Sequence, residues 1–333
     1  MRALGVVIVL VLIAAGIVFG VRACRSNEPE IPVPITENPP TPPVSSVTNP
    51  AAMPATPAPE PLLTPQEYYA NAQKAATSAA KKKNLRKLLD VDATSELAKK
   101  AASELAALCR SENNARGALT AELKVAPATS EQRDMLLKKL DALNDEFFSP
   151  KPAPGTTIHI VQPGDVLFKI AKKYNTTPEF IQRLNGMKGT TIQPNQRLKV
   201  INCPVEIAVS TSRFTLDILI NGDILKTFNI GVGAADKTPE GTFVITSRLP
   251  NPSWYKPMPD GRKKEVPPGD PENILGTRWL GFNEPYRDYG IHGSVNGEGI
   301  GKDASNGCVR MWNKDVEDVY SLIPMGTKVT ITK

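Results

Sequence analysis

One thiol and one imidazole stand out in this 333-residue chain. Cys308 lies in Ser305-Asn306-Gly307-Cys308-Val309-Arg310-Met311, and His292 lies sixteen residues earlier in Ile291-His292-Gly293-Ser294. A cysteine beside glycine belongs in a tight turn, where backbone N–H groups can point at a bound carbonyl. Apolar Ile291 ahead of the histidine lets a strand carry the ring back beside that turn. A Cys–His pair makes a thiolate nucleophile at neutral pH, and the imidazole can return the proton to a leaving amine. Taken alone the two residues prove little, because a buried free cysteine is the commoner occurrence.

Other chemistries have less to build on. There are 2 His, 4 Cys and no C-x-x-C pair, so a zinc cluster lacks ligands at workable spacing. Four cysteines in this length do not make a disulfide-built mini-protein. Cys109 follows the apolar face of a helix and reads as a packed thiol. Cys203 lies at a module junction, and in an oxidising compartment the two have the option of pairing. The formal charge is +6, yet residues 205–333 hold 15 basic and 16 acidic side chains. The excess sits in residues 150–204, with 8 basic and 2 acidic residues and no basic block interleaved with aromatics. A nucleic-acid surface is therefore not supported, and Lys81-Lys82-Lys83 reads as a solvated face.

The elements that must position Cys308 and His292 are strands. From Val205 the pattern alternates through VEIAVSTSRFTLDILI, turns at Asn221-Gly222 and continues as ILKTFNIGVG. Upstream, residues 155–202 read strand, helix, helix, strand. Ile158 and Ile160 alternate with polar neighbours, and Pro163-Gly164-Asp165 is a turn whose aspartate is placed to cap a helix over Val166 to Tyr174. Thr177-Pro178-Glu179 opens a second helix, which Asn185-Gly186 stops near Leu184. Residues 66–149 are rich in Ala, Leu, Lys and Glu. Leu97, Ala101, Leu105 and Leu108 share one helical face, and Leu136, Leu140, Leu143 and Phe147 share another. Thr64-Pro65-Gln66-Glu67 forms a capping box, and Thr129 with Gln132 frames a second. Three to five helices follow, with breaks near Asn113–Asn114 and Pro127.

Residues 26–65 form a linker. Thirteen prolines fall in the 37 residues from Pro29 to Pro65, and at about 3.1 Å per residue such a spacer reaches on the order of 100 Å. Within residues 1–25, Ala3 to Val21 is a run of nineteen uncharged residues, roughly 28 Å as a helix and close to a bilayer's hydrocarbon thickness. The leading reading is an uncleaved signal anchor. A cleaved signal peptide and a lipidated Cys24 stand as alternatives, and all three put the remainder outside the cytoplasm.

Residues 159–201 resemble the LysM domain over its full length, through Pro163-Gly164-Asp165, Ile170-Ala171, Tyr174, Leu184-Asn185 and the stretch from Pro194 to Val200. The resemblance implies a βααβ fold that binds N-acetylglucosamine glycans between its first strand–helix loop and its second helix–strand loop. It places the contacts near Gly164, Asp165, Val166 and Leu167, and near Leu184, Asn185, Gly186 and Met187. His159 reads as structural. Residues 205–333 resemble the YkuD-type L,D-transpeptidase catalytic domain. The matches are Gly231-Val232-Gly233, Thr238-Pro239-Glu240-Gly241-Thr242-Phe243, Leu275-Gly276-Thr277-Arg278-Trp279-Leu280, Ile291-His292-Gly293-Ser294 and the segment from Ser305 to Met311. One departure is Asn306, where many members carry histidine.

The fold expected is therefore multidomain: a β-rich catalytic domain, a mixed β-sandwich with short helices, preceded by a small LysM domain and an α-helical region. The second resemblance implies that Cys308 attacks the peptide bond between the diamino acid and D-alanine of a peptidoglycan tetrapeptide. D-alanine leaves, a thioester remains, and an amine from a second stem gives a 3-3 cross-link. His292 is implied as base and then acid, its ring oriented by a backbone carbonyl of Gly293 or Ser294. Gly307 and Cys308 N–H groups, with Asn306, are implied to hold the oxyanion beside Ser305. Arg310 takes a substrate carboxylate or makes a structural ion pair, and Trp279 and Tyr286 line the cleft or pack in the core. No metal or organic cofactor is called for. The partners implied are peptidoglycan and, through the N-terminal run, the inner membrane, with a protein partner open for the helical region. An L,D-carboxypeptidase and a non-catalytic wall-binding scaffold are the competing readings.

Overall fold

The computed structural model describes residues 63–127 and 129–333. The expected anchor at 1–25, Cys24 and nearly all of the proline-rich linker lie outside those residues.

Five helices come first: α1 (Pro65–Gln73), α2 (Ser78–Val91), α3 (Glu96–Ser111), α4 (Ala115–Val125) and α5 (Glu131–Phe147). The Thr64/Glu67 capping box forms, with Pro65 in the first turn. The box expected at Thr129 and Gln132 does not. Ser130 is the N-cap of α5 instead, its side chain accepting the Arg133 N–H, because the chain enters the helix one residue later. The apolar faces of α1 to α4 close on Leu85, Leu88, Ala101, Leu105 and the buried Cys109.

The expected strand–helix–helix–strand order follows as β1 (Thr156–Ile160), α6 (Leu167–Lys173), α7 (Pro178–Leu184) and β2 (Arg197–Ile201). The two strands pair antiparallel, with Thr156 opposite Ile201. Thr177 caps α7 as expected, but Asp165 does not cap α6, whose N-cap Val166 has no side-chain hydrogen bond. Asp165 turns back. Its Oδ2 accepts the Gln162 N–H at 2.8 Å and faces His159 Nε2 at 3.0 Å. Its carboxyl is held below the usual carboxylate range by the Gln162 N–H first and by His159 second. His159 is buried against Tyr174, a structural place as expected.

The remaining strands are β3 (Val205–Ser210), β4 (Thr215–Ile220), β5 (Asp223–Asn229), β6 (Val232–Gly233), β7 (Gly241–Pro250), β8 (Trp254–Pro257), β9 (Lys263–Val266), β10 (Arg278–Phe282), β11 (Gly290–His292), β12 (Asp303–Ser305), β13 (Val309–Arg310) and β14 (Lys328–Thr332). Helix α8 (Asn313–Leu322) lies between β13 and β14. The expected β-rich fold is present as a curled mixed sheet in the order β13-β11-β10-β7-β14-β3-β4-β5. Pairs β14/β3 and β11/β13 are parallel. The β4–β5 hairpin turns on Asn221 and Gly222, both at positive φ, the backbone that a two-residue turn of this hand requires.

Both ends of this arrangement are packed. Strand β5, the edge of the sheet, is covered by the helices: Ile224 N–H donates to Thr120 Oγ1 at 2.8 Å, and Arg116 and Asn144 donate to the carbonyls of Ile224 and Leu225 at 3.1 and 2.7 Å. Asp223 pairs with Arg86 and accepts from Asn114. Helix α7 lies on α8, where Thr177 donates to the Ser321 carbonyl and Arg183 and Lys226 share Asp318. Phe180 and Leu184, both fully buried, join Phe147 and the sheet residues in one apolar core. The buried Lys199 ammonium donates to the carbonyls of Phe147 and Ser149 at 2.6 and 3.0 Å, closing the C-terminal end of α5.

Candidate active site

Strand β11 delivers His292, and the loop between β12 and β13 delivers Cys308. The two strands run parallel, with Ile291 opposite Val309 and His292 opposite Arg310. The thiol loop and the imidazole are thus brought to one end of the sheet, as expected.

His292 is 2% exposed. Its Nδ1–H donates to the Gly293 carbonyl at 2.7 Å, and a carbonyl can only accept, so the proton sits on Nδ1 and Nε2 keeps its lone pair. Of the two carbonyls considered for this task, Gly293 supplies it. Burial, with a smaller push from Arg310, lowers the His292 pKa to about 4, against the opposing Gly293 bond. Trp279 stacks on the ring at 6.1 Å with planes 23° apart, so it serves as the backing of the imidazole. Gly293 is small for a reason: a Cβ there would come within 2.2 Å of Asn313 Oδ1. Ser294 is buried and donates to Asn296 Oδ1 at 3.2 Å.

The Cys308 thiol is half-buried, with its sulfur 3.8 Å from the Asp288 carbonyl. No hydrogen bond joins it to His292 among the described residues. Burial pushes its pKa up. The Gly290 N–H and Arg310 pull it down, and the Asp288 carboxylate pushes it up again. Both partners of the pair therefore rest uncharged, and the expected thiolate is not the resting form.

Its loop is tied from two sides. Ser305 Oγ–H donates to the Cys308 carbonyl at 2.7 Å and accepts the Gly307 N–H at 3.1 Å. Thr238 Oγ1–H donates to the Gly307 carbonyl at 3.0 Å and accepts the Gly233 N–H at 2.7 Å. The expected Gly307 oxyanion donor is thus already spent on Ser305. Gly307 contributes shape instead, with φ at 123° and Tyr289 Cε1 only 2.5 Å from where a Cβ would stand. The Cys308 N–H is the donor that remains in the turn, with the exposed Asn306 side chain beside it. Arg310 Nη1 donates to the Glu298 carbonyl at 3.0 Å, and no ion pair forms on Arg310 among the described residues. Tyr286 packs edge-on against Phe243 and Tyr289 and stays partly exposed. Among the described residues, no group of three or more His, Cys, Asp or Glu side chains is placed to hold a metal ion.

Thr238, Asn313, Gly290 and Asp288 were not singled out for these roles from sequence. Each acts on the His292 or Cys308 segment from 18 to 69 residues away, where spacing carries no signal.

A concavity of about 440 Å³ is lined by Asp165, Val166, Leu167, Phe168, Pro178, Thr190, Thr191 and Ile192. Asp165, Val166 and Leu167, three of the residues expected at a glycan, line it beside Gly164 at positive φ. Leu184, Asn185 and Gly186 do not line it. Leu184 is buried in the shared core, and Asn185 staples α7 to β2 by donating to the Ile181 and Lys199 carbonyls and accepting the Lys199 N–H. The loop's far side, Thr190 to Ile192, takes their place, and the 68% exposed Phe168 adds an aromatic face.

Comparison with known proteins fits this layout. Residues 204–331 match the YkuD L,D-transpeptidase catalytic domain, and residues 159–200 match the LysM domain. A Bacillus licheniformis protein named as the L,D-transpeptidase YkuD is 35% identical over 180 residues, which span 52% of this chain and 96% of that one. Its Bacillus subtilis counterpart is 33% identical over 180 residues, spanning 52% and 97%. Among solved structures, the catalytic domain of the E. faecium L,D-transpeptidase acylated by ertapenem aligns at 18% identity. It covers 39% of this chain and 97% of that one, with a TM-score of 0.32. With both domains matched in order and the Bacillus relatives covered almost end to end, this chain belongs to the L,D-transpeptidase family, a YkuD catalytic domain with a LysM domain ahead of it.

Proposed function

We propose that the chain forms 3-3 peptidoglycan cross-links through a thioester on Cys308, while the LysM cleft holds the glycan. The observation that carries this reading is the His292 Nδ1–H bond to the Gly293 carbonyl, which leaves Nε2 as a free base at the strand beside the thiol turn. Nε2 takes the thiol proton as sulfur adds to the carbonyl of the penultimate residue of a tetrapeptide stem. The oxyanion meets the Cys308 N–H. The C–N bond then breaks, D-alanine leaves with the proton from Nε2, and the acyl group stays on sulfur. The side-chain amine of a second stem adds to the thioester, gives its proton to Nε2 and releases the thiol.

Incubation with tetrapeptide muropeptides, followed by mass spectrometry, tests this. Wild type should yield cross-linked dimers and free D-alanine, and Cys308→Ala neither. Tripeptide without dimer would give the thioester to water and make the activity carboxypeptidase; no product from wild type would end both enzyme readings. Chemistry on peptidoglycan places the chain outside the cytoplasm. Among the described residues no helix is long and apolar enough to cross a membrane, so anchoring rests on the uncharged run from Ala3 to Val21 alone. Fractionation of cells expressing the full chain, with and without residues 1–25, checks it: loss from the membrane pellet on truncation is the expected result.

A further inference from the structure

The carbonyl that orients His292 belongs to a glycine, and a glycine peptide has the widest choice of rotations. Something must fix the Gly293 carbonyl before it can fix the ring. Its N–H is shared between the Leu275 and Arg278 carbonyls at 3.1 and 3.3 Å. On its Cα side stands Asn313: a Cβ on Gly293 would come within 2.2 Å of Asn313 Oδ1 and 3.1 Å of the buried Val316. The same oxygen crowds Gly276, where a Cβ would lie 2.2 Å from it and 2.7 Å from the carbonyl carbon of Gly293. Asn313 Oδ1 also accepts the Thr277 N–H at 3.1 Å. One carboxamide oxygen thus fills the space that two missing side chains leave, and it closes the segment ahead of β10 onto the Gly293 peptide.

Asn313 is the first residue of α8, yet that helix starts without a side-chain cap. A residue type much used for capping is turned across the loop to Thr277 instead. Its Nδ2 makes no hydrogen bond among the described residues, so the oxygen is the atom in use. Taking His292 as the base of the transfer proposed above, we propose that Asn313 is a positioning residue for it. The carboxamide oxygen fixes the Gly293 peptide, whose carbonyl holds the imidazole proton on Nδ1 and leaves Nε2 free. Asn313 touches no reacting atom and acts through Gly293. With the oxygen gone, the Gly293 peptide can rotate and Nδ1–H loses its acceptor. The proton is then free to move to Nε2, and a ring in that form takes no proton from sulfur there.

The chain holds 2 histidines, so long-range proton–nitrogen NMR of the full chain, isotope-labelled at histidine, reports His292 directly. His159 serves as the internal control of folding. At pH 7 wild type should carry the His292 proton on Nδ1; a proton on Nε2 overturns the proposal before any variant is made. Asn313→Ala should give a mixture of the two tautomers at His292 and leave the His159 signals unmoved. D-alanine release from a tetrapeptide should then fall about 10–100-fold in kcat, with KM changed by less than about twofold. Asn313→Asp, which keeps an oxygen at the same reach, should restore the single tautomer and part of the rate. A single Nδ1–H form in Asn313→Ala overturns the proposal whatever happens to the rate, and so does a mixed form in Asn313→Asp. If Asn313→Ala moves His159 as well, Asn313→Ser, too short to reach Gly293, takes its place with the same expected mixture. Wild type and variants that show these tautomers yet release no D-alanine would remove the transpeptidase reading and leave the hold of Asn313 on His292 standing.

Discussion

His292 is held by a carbonyl below, an indole behind and burial all round, and that combination has a cost in acid. Its folded pKa of about 4 lies below the ordinary histidine value of 6.5, so the unfolded chain binds the proton first. The sign follows from linkage: full stability is present above pH 6.5 and is lost as pH falls from there towards 4. At pH 5 the loss amounts to about 2 kcal/mol. Urea unfolding of wild type at pH 7 and pH 5 should show this gap, and His292→Gln should narrow it. A gap unchanged in the variant would assign the acid sensitivity to carboxylates elsewhere. Thr238 makes a second case at this scale. Thr238→Val keeps the volume but leaves the Gly307 carbonyl and the Gly233 N–H without their partner. Two buried groups left unpaired cost about 1–3 kcal/mol each. Because one of them belongs to the Cys308 turn, acylation by a carbapenem should slow by at least tenfold, measured as adduct formation over time.

Among the elements, β5 shows why the helices are there. An edge strand exposes a row of unpaired N–H and C=O groups to any passing strand. Here Thr120, Arg116 and Asn144, from α4 and α5, meet three backbone groups of Ile224 and Leu225, so the helical region reads as a cover for the sheet before it reads as a dock for another protein. Thr120→Val should speed hydrogen exchange at the Ile224 amide by about tenfold or more and lower stability by about 1–2 kcal/mol; unchanged exchange would mean the edge is protected by burial alone. The limits of reading the sequence run along the same line. Some of what lies within four residues was legible: the Thr64/Glu67 box, the Asn221-Gly222 hairpin and the Thr177 cap formed, while the Thr129/Gln132 box did not. Also legible was the Cys308 and His292 motif, whose residues the parallel β11/β13 pairing brings to one end of the sheet. What a competing partner takes, whether near or far in sequence, was not. Leu184 and Asn185 look like loop residues free to touch a ligand, yet α8 and β2 bury one and bond the other. Asp165 sits where a helix cap belongs, but His159 and the Gln162 amide compete for it and win. Gly307 stands in the turn that should hold an oxyanion, but Ser305 takes its amide first.

At the largest scale, residues 63–333 depart from the beads-on-a-string picture that their composition invites. Phe147 from the helices, Phe180 and Leu184 from the LysM fold, and the sheet strands belong to one apolar cluster. Lys199 ties α5 to β2. Scanning calorimetry of residues 63–333 should therefore give one cooperative transition, with calorimetric and van't Hoff enthalpies in agreement. Two or three resolved transitions would show that the shared core is too small to couple the units. The seating of α7 on α8 carries a further consequence for anyone who would rebuild this enzyme. A binding module on a flexible tether can be exchanged for another of like affinity, but this one presents Thr177, Phe180, Arg183 and Leu184 as a face its neighbour needs. A substitute chosen for its ligand alone would strip the catalytic sheet of part of its own interior.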